Sequence, residues 1–438
     1  MTKLEKNIIY TLPLISIVFE IMQSFIGSES KIMALRDHSF FLIILFLIVK
    51  YFKPAFRINS FLIIMMAYFL IILLLDELKL FQYNYFVRSF DAKMLLPLSF
   101  ILTSSIEDLQ HLNKRMFWIH ILFVSSILIF SVLGIGEDQY GGGSSFKTGT
   151  FTHEKIYIGS FLLILSPLIF RELKNKLIKN VYVLICLVTV VILLLSVRRT
   201  SIVIVLIGAV VYLYYYKDQI SRIFFYLTIV ITILVVSMPL YQEILIKQLQ
   251  ARSKEFLSDR SMVEVLQGEM RYFETIAVWK ERLFNPDKKL MLFGEHLFDS
   301  KGRYANGILR NRNIHLDINI VLHGSGIIGL LLFLGYYVQL IYKYSVYRRG
   351  VNFDDNKPLI YAFNGLFISN IFLLFSGGMT VITFNMISAL YMGAILGYFR
   401  SLVVSHYYNE GSMIYSNDQS SFSVKDYYRR AFLFPPKN

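Results

Sequence analysis

The sequence predicts an all-α fold: a polytopic bundle of about twelve transmembrane helices with one large helical loop on the extracytoplasmic side. Three observations carry this expectation. Hydrophobic residues make up 55% of the 438-residue chain and charged residues only 17%, where soluble domains average about 25% charged. Apolar runs of roughly 18 residues or more recur along the chain, the length needed to cross the hydrocarbon core. Lys and Arg fall unevenly among the connections between these runs, as the positive-inside rule requires of a protein with fixed orientation.

Taken in order, helices are expected near 7–27, 37–53, 58–78, 86–104, 114–135, 154–171, 180–197, 200–217, 222–240, 314–343, 358–376 and 380–403. The first run is not followed by a small-residue cleavage site, so it is expected to stay as a helix. The fourth is the least regular, because Asp91, Lys93 and Pro97 interrupt it. With both termini in the cytoplasm, the inside connections carry Lys50, Lys53, Arg57, Lys114, Arg115, Arg171, Lys174, Lys217, Arg348 and Lys357, among others. The outside connections carry fewer cations: Lys31, Arg36, Lys79, Arg88, Lys93, Lys147, Lys155, Arg198 and Arg199. The chain then divides into helices one to nine (1–240), an extracytoplasmic loop (241–313), helices ten to twelve (314–403) and a polar cytoplasmic tail (404–438). The loop's length exempts it from the charge rule. Within it, Met262, Leu266, Met270, Phe273, Ala277 and Phe284 recur at helical spacing, and long loops with helices of their own are usually functional.

Several function classes fit poorly. The net charge of +14 is what loops facing anionic lipid require, so nucleic acid is not an expected partner; the bilayer is. Cys186 is the single cysteine and forms no internal disulfide. His315 and His323 are eight apart, no HExxH or Cys pair accompanies them, and no metal site or cofactor is expected. There is no Gly-x-x-x-x-Gly-Lys loop, and GGGSS after Tyr140 reads as a flexible turn. No internal repeat supports an inverted-repeat transporter.

Three cationic features fall on one side of the membrane. Arg198 and Arg199 form the turn SVRRTS between helices seven and eight; Arg271 lies on the amphipathic loop helix; His315 opens helix ten. Before His315, SKGRYANGILRNRN holds Lys301, Arg303, Arg310 and Arg312 with no acid, a balance suited to holding an anion. Each feature also has a plainer reading. Arginines in a short turn snorkel to headgroups, Arg271 sits on a solvated face, His315 caps a helix, and Asp317 and Asn319 bond neighbouring helices.

In combination and order, these pieces resemble the O-antigen ligase/polymerase family of membrane glycosyltransferases. SVRRTS resembles that family's Ser-Arg-small turn, with Arg199 fitting better and Arg198 as fallback. Arg271 with Trp279 and the later LFG (292–294) resembles its loop pattern. His315 followed by GIIGLLLFL (326–334) resembles its His-Asn element and Gly-x-x-Gly helix, although Leu316 stands where asparagine is usual, with Asn313, Asp317 and Asn319 nearby to orient the ring. FKTGTFTHE (146–154) loosely resembles the Gly-x-Phe segment before helix six, with Lys155 where asparagine is common.

The resemblance implies a polyprenyl-diphosphate-linked glycan as donor, at the outer face of a bacterial inner membrane. His315 would act as general base on an acceptor sugar hydroxyl, a task suited to an imidazole. Arg271 and Arg199 would stabilise the leaving diphosphate without a metal, with Arg198, Arg310, Arg312 and Lys155 holding it. Asp317 and Asn319 would support the site. A polymerase of lipid-linked repeat units, working with or without a chain-length regulator, is the first expectation. A ligase delivering the glycan to lipid A core or another surface acceptor is the second. A flippase is the third, disfavoured because its interior charges, Glu20, Asp91 and Asp317, are few.

Overall fold

Helix follows helix with short connections, as the apolar runs require. The computed structural model describes residues 2–26, 31–77, 79–136, 147–151, 153–196, 198–217, 270–304, 313–379 and 381–415. The expected ninth helix, GGGSS, Met262, Leu266, Arg310 and Arg312 lie outside these residues. So do the side chains of His153, Met270, Arg271 and 406–415. The elements are α1 (Lys3–Ile26), α2 (Lys31–Lys50), α3 (Phe52–Ile58), α4 (Ser60–Leu75), α5 (Leu80–Leu102), α6 (Ile106–Leu133), a 3-10 turn (His153–Ile156), α7 (Tyr157–Glu172), α8 (Lys176–Leu195), α9 (Arg199–Tyr215), α10 (Met270–Leu283), α11 (Lys288–Phe293), α12 (Asp317–Arg349), α13 (Phe353–Leu374) and α14 (Ile382–Tyr415). Among the described residues there is no strand, only an isolated bridge between Gly136 and Gly149.

Seven of these helices are long and apolar enough to cross a membrane, and an eighth span arises if the bent pair α3–α4 is counted as one. The bend, 108°, falls at Asn59. Its side-chain oxygen accepts from the Leu62 N–H at 3.0 Å, capping α4, while its amide donates to the Tyr336 carbonyl of α12 at 3.0 Å. One buried side chain thus caps α4 and ties the break to α12.

The expected fourth helix is unbroken and mostly buried. In α5, Asp91, Lys93 and Pro97 are all buried. Lys93 therefore lies inside a helix and not in an outer connection. Hydropathy averages penalise such residues because they assume a lipid-facing surface; α5 is shielded by α2 and α14, where polar groups are tolerated. The α5–α14 contact is the most extensive in the molecule. Gly393 and Gly397, four residues apart on α14, make it close: a Cβ at either would strike a main-chain carbonyl of α5, Leu96 or Phe100.

The two ends of the bundle can be told apart by their ion pairs. At one end Lys6 pairs with Asp108 at 2.9 Å and Lys50 with Glu5 at 2.6 Å. At the other end Lys155 and Arg36 meet Glu20 at 2.6 and 3.2 Å, and Arg36 and Arg88 meet Asp37 at 2.7 and 2.9 Å. This second network joins α1, α2, α5 and the 3-10 turn, with Glu20, Arg36 and Asp37 buried. His315 lies at the same end.

Candidate functional site

His315 sits in the extended segment just before α12, with its side chain 42% exposed. The backbone that presents it is held from three directions. Glu274 of α10, fully buried, accepts from the His315 and Leu316 N–H groups at 2.9 and 3.2 Å. It thereby fixes the two residues that lead into α12, whose N-cap residue Leu316 has no capping side chain. The Ser300 hydroxyl accepts from the Ile314 N–H at 2.8 Å. Gly377, in the left-handed region at φ 88°, brings its Cα against the His315 carbonyl, where a Cβ would collide.

The ring itself is oriented by the main chain. Nδ1 lies 2.6 Å from the Asn313 carbonyl oxygen. A carbonyl only accepts, so Nδ1 carries the proton and the lone pair sits on Nε2. A Glu274 carboxylate oxygen stands 3.8 Å from Nδ1, placed to stabilise an imidazolium once Nε2 takes a second proton. Such a ring, backed by a buried carboxylate and open at a rim, can act as a proton acceptor.

The other expected site residues divide. Asp317, buried, accepts from the N–H groups of Gly378 and Met379 at 3.0 and 2.9 Å; it ties α12 to the turn after α13 and does not touch the His315 ring. The Asn319 amide bridges α12 to α10: its oxygen accepts from Trp279 Nε1 at 3.0 Å and its nitrogen donates to the Thr275 hydroxyl at 3.0 Å. Asn319 therefore positions the loop helix rather than the ring, and Trp279 gains a role.

Lys155 meets Glu20 at 2.6 Å and the Gln23 side chain at 2.8 Å. Its charge is offset, so it belongs to the scaffold of the network and not to a set of anion-binding groups. Arg198 and Arg199 stand at the start of α9, Arg199 exposed. This is the His315 end: α9 runs beside α7, whose Ser160 hydroxyl donates to the Ser201 carbonyl. Arg271 lies in α10 one turn before Glu274.

In the sequence Glu274 stands as one more polar residue of an amphipathic helix. The apolar spacing does not mark the buried face of α10. Phe273 and Phe284 are exposed, and the buried residues are Glu274, Val278 and Arg282. Spacing i, i+4, i+8 marks this face, but it mixes charged and apolar types and so carries no hydropathy signal. Arg282 donates to Glu295 at 3.0 Å and to His323 Nε2 at 2.9 Å, fastening the far end of α10 to α12.

The fold defines a multi-pass membrane protein with an accessible imidazole at one rim. Comparison with protein-family models and with curated protein sequences gives no match.

Proposed function

We propose that the protein is a membrane glycosyltransferase that polymerises repeat units carried on a polyprenyl diphosphate, with twelve spans and the His315 rim facing outward from a bacterial inner membrane. The observation that carries this reading is the His315 ring: exposed, tautomerically fixed with its lone pair on Nε2, and backed by buried Glu274 on the helix that also bears Arg271. In the reaction, Nε2 accepts the proton of an acceptor sugar hydroxyl. The hydroxyl oxygen forms its bond to the anomeric carbon as the bond from that carbon to the diphosphate oxygen breaks. The imidazolium is stabilised by Glu274, and the departing diphosphate by Arg271 and Arg199. Arg310 and Arg312 belong to the same proposed cationic set, with Arg198 behind Arg199.

The ligase reading uses the same donor, bond and residues. Deleting the gene and resolving the surface glycan on a gel separates the two: a single repeat unit on its anchor supports the polymerase, and lipid-linked polymer missing from the surface acceptor supports the ligase. Complementation with His315→Ala tests the shared chemistry. Normal long-chain glycan from that variant would overturn the base role.

A flippase gains one observation. Asp91 is buried in α5 and its carboxylate has no hydrogen-bond partner among the described residues. A carboxylate in that position suits an ion path. In the Glu20–Arg36–Asp37 network, however, both carboxylates are already paired, with Arg36, Arg88 and Lys155. Retained glycan polymerisation in Asp91→Asn, with His315→Ala inactive, separates the enzyme from the transporter.

A further inference from the structure

The end of the bundle opposite His315 carries a cleft of about 540 Å³ between the last turns of α9 and α12 and the first turns of α13. Lys217, Arg348 and Lys357 line it, and among the described residues no carboxylate does. The cations are held by aromatic rings. Lys217 lies 5.3 Å over Tyr214, and Lys357 lies 5.1 Å over Tyr216. Arg348 and Lys357 both lie over Phe353, at 5.1 and 5.7 Å. Two like charges on one ring repel, and the ring's quadrupole only partly offsets this. An anion between them removes the conflict.

The floor of the cleft adds donors. The Asn364 amide nitrogen lies 2.9 Å from the hydroxyl oxygens of Tyr215 and Tyr344 and from the Ile360 carbonyl, and shares its two N–H bonds among them. Each phenol keeps its own proton to give to a ligand. The Tyr344 ring is fixed by stacking on Phe363 at 3.9 Å. Three cations and two hydroxyl donors with no opposing acid match a phosphate oxyanion. A volume of this size suits a small headgroup.

Along α9, Leu206, Val210 and Tyr214 are exposed at successive turns and lead to the cleft. An acyl chain has an apolar track beside the phosphate position.

We infer that this cleft binds the phosphate of an anionic phospholipid headgroup, at the membrane face opposite the His315 rim. The site is independent of the glycosyltransferase reading, since it shares no residue with it.

The test uses the full-length protein, delipidated in detergent and examined by native mass spectrometry. Dioleoyl phosphatidylglycerol, dioleoyl phosphatidylcholine and inorganic phosphate are added in turn. Phosphatidylglycerol is expected to be retained in preference to phosphatidylcholine, and the Arg348→Gln/Lys357→Gln double variant to retain it roughly tenfold less well. The charge-conserving Arg348→Lys/Lys357→Arg variant, also run to control for folding, is expected to keep most of the retention. Competition by millimolar inorganic phosphate alone, lost in the Gln variant, would assign the same site to a soluble phosphate instead of a lipid. Equal retention of the two lipids, or a Gln variant indistinguishable from wild type, would overturn the inference.

Discussion

At His315, two neighbours do different work, and substitution separates them. The Asn313 carbonyl fixes which nitrogen holds the proton, while Glu274 both holds the main chain leading into α12 and supplies the negative charge near Nδ1. Glu274→Gln keeps an oxygen to accept the two N–H groups and removes the charge. Its expected effect is a fall in turnover of about 10–100-fold with little change in stability, in line with other groups that orient a reactive ring. Glu274→Ala also leaves two buried N–H groups without acceptors, at about 1–3 kcal/mol each, so it is expected to lower the melting temperature as well. Equal activity of Glu274→Gln and wild type in a glycan polymerisation assay would remove Glu274 from the mechanism. His315→Ala is expected to lose about 10²–10⁴-fold. Because arginines supply the positive charge in the proposed reaction, turnover in EDTA is expected to match turnover without it; a strict divalent-metal requirement would count against the scheme.

Among the elements, the most informative contact is between two short motifs far apart in sequence. Gly326 interrupts the helical backbone of α12 at φ 63° and ψ −164°. There the main chain of 292–294 packs directly against 324–326: a Cβ on Gly326 would strike the Leu292 carbonyl, and one on Gly294 would strike the Gly326 and Ser325 nitrogens. The Glu295 N–H donates to the His323 carbonyl at 3.1 Å, closing the contact. Gly326→Ala is therefore expected to cost more than about 1–3 kcal/mol. It should release α10 and α11 from α12, seen as faster limited proteolysis between residues 283 and 304. A cleavage rate equal to wild type would show that the contact does not hold the loop. Both motifs were visible in the sequence, as LFG and as a Gly-x-Gly break, but their meeting was not, since nothing local signals which backbone a glycine admits. The same limit hid Glu274. For α5 the helix was found but its environment was not. Asp91, Lys93 and Pro97 interrupt its apolar run, whereas packing against α2 and α14 buries all three. Long apolar runs such as α1, α6, α12 and α13 were located because their composition alone decides their environment, but their polar ends were not: α6 begins at Ile106 and not near 114, and α12 runs on to Arg349 and not 343.

For the whole molecule, the decisive quantity is which end faces which side. Lys50, Lys53 and Arg115 gather with Lys6 and Glu5 at one end, with Lys50 on Glu5 and Arg115 on Thr11. His315, Arg199 and α10 gather at the other. In the proposed orientation, which follows the positive-inside rule, His315 faces outward, the side on which a lipid-linked donor would be exposed in the proposed reaction. Replacing the single Cys186 by Ala permits a direct measurement, since Lys280 on α10 and Lys53 on α3 are both exposed. A membrane-impermeant maleimide added to intact cells is expected to label Lys280→Cys at once. Lys53→Cys should react only after the membrane is permeabilised. Labelling of both from one side would contradict the placement of α10 and α3 at opposite ends of the bundle. The reverse order would keep the fold and invert it, putting His315 in the cytoplasm. A rim that faced inward would meet the donor before export, and the extracytoplasmic polymerisation proposed here would fail even with every residue of the site in place.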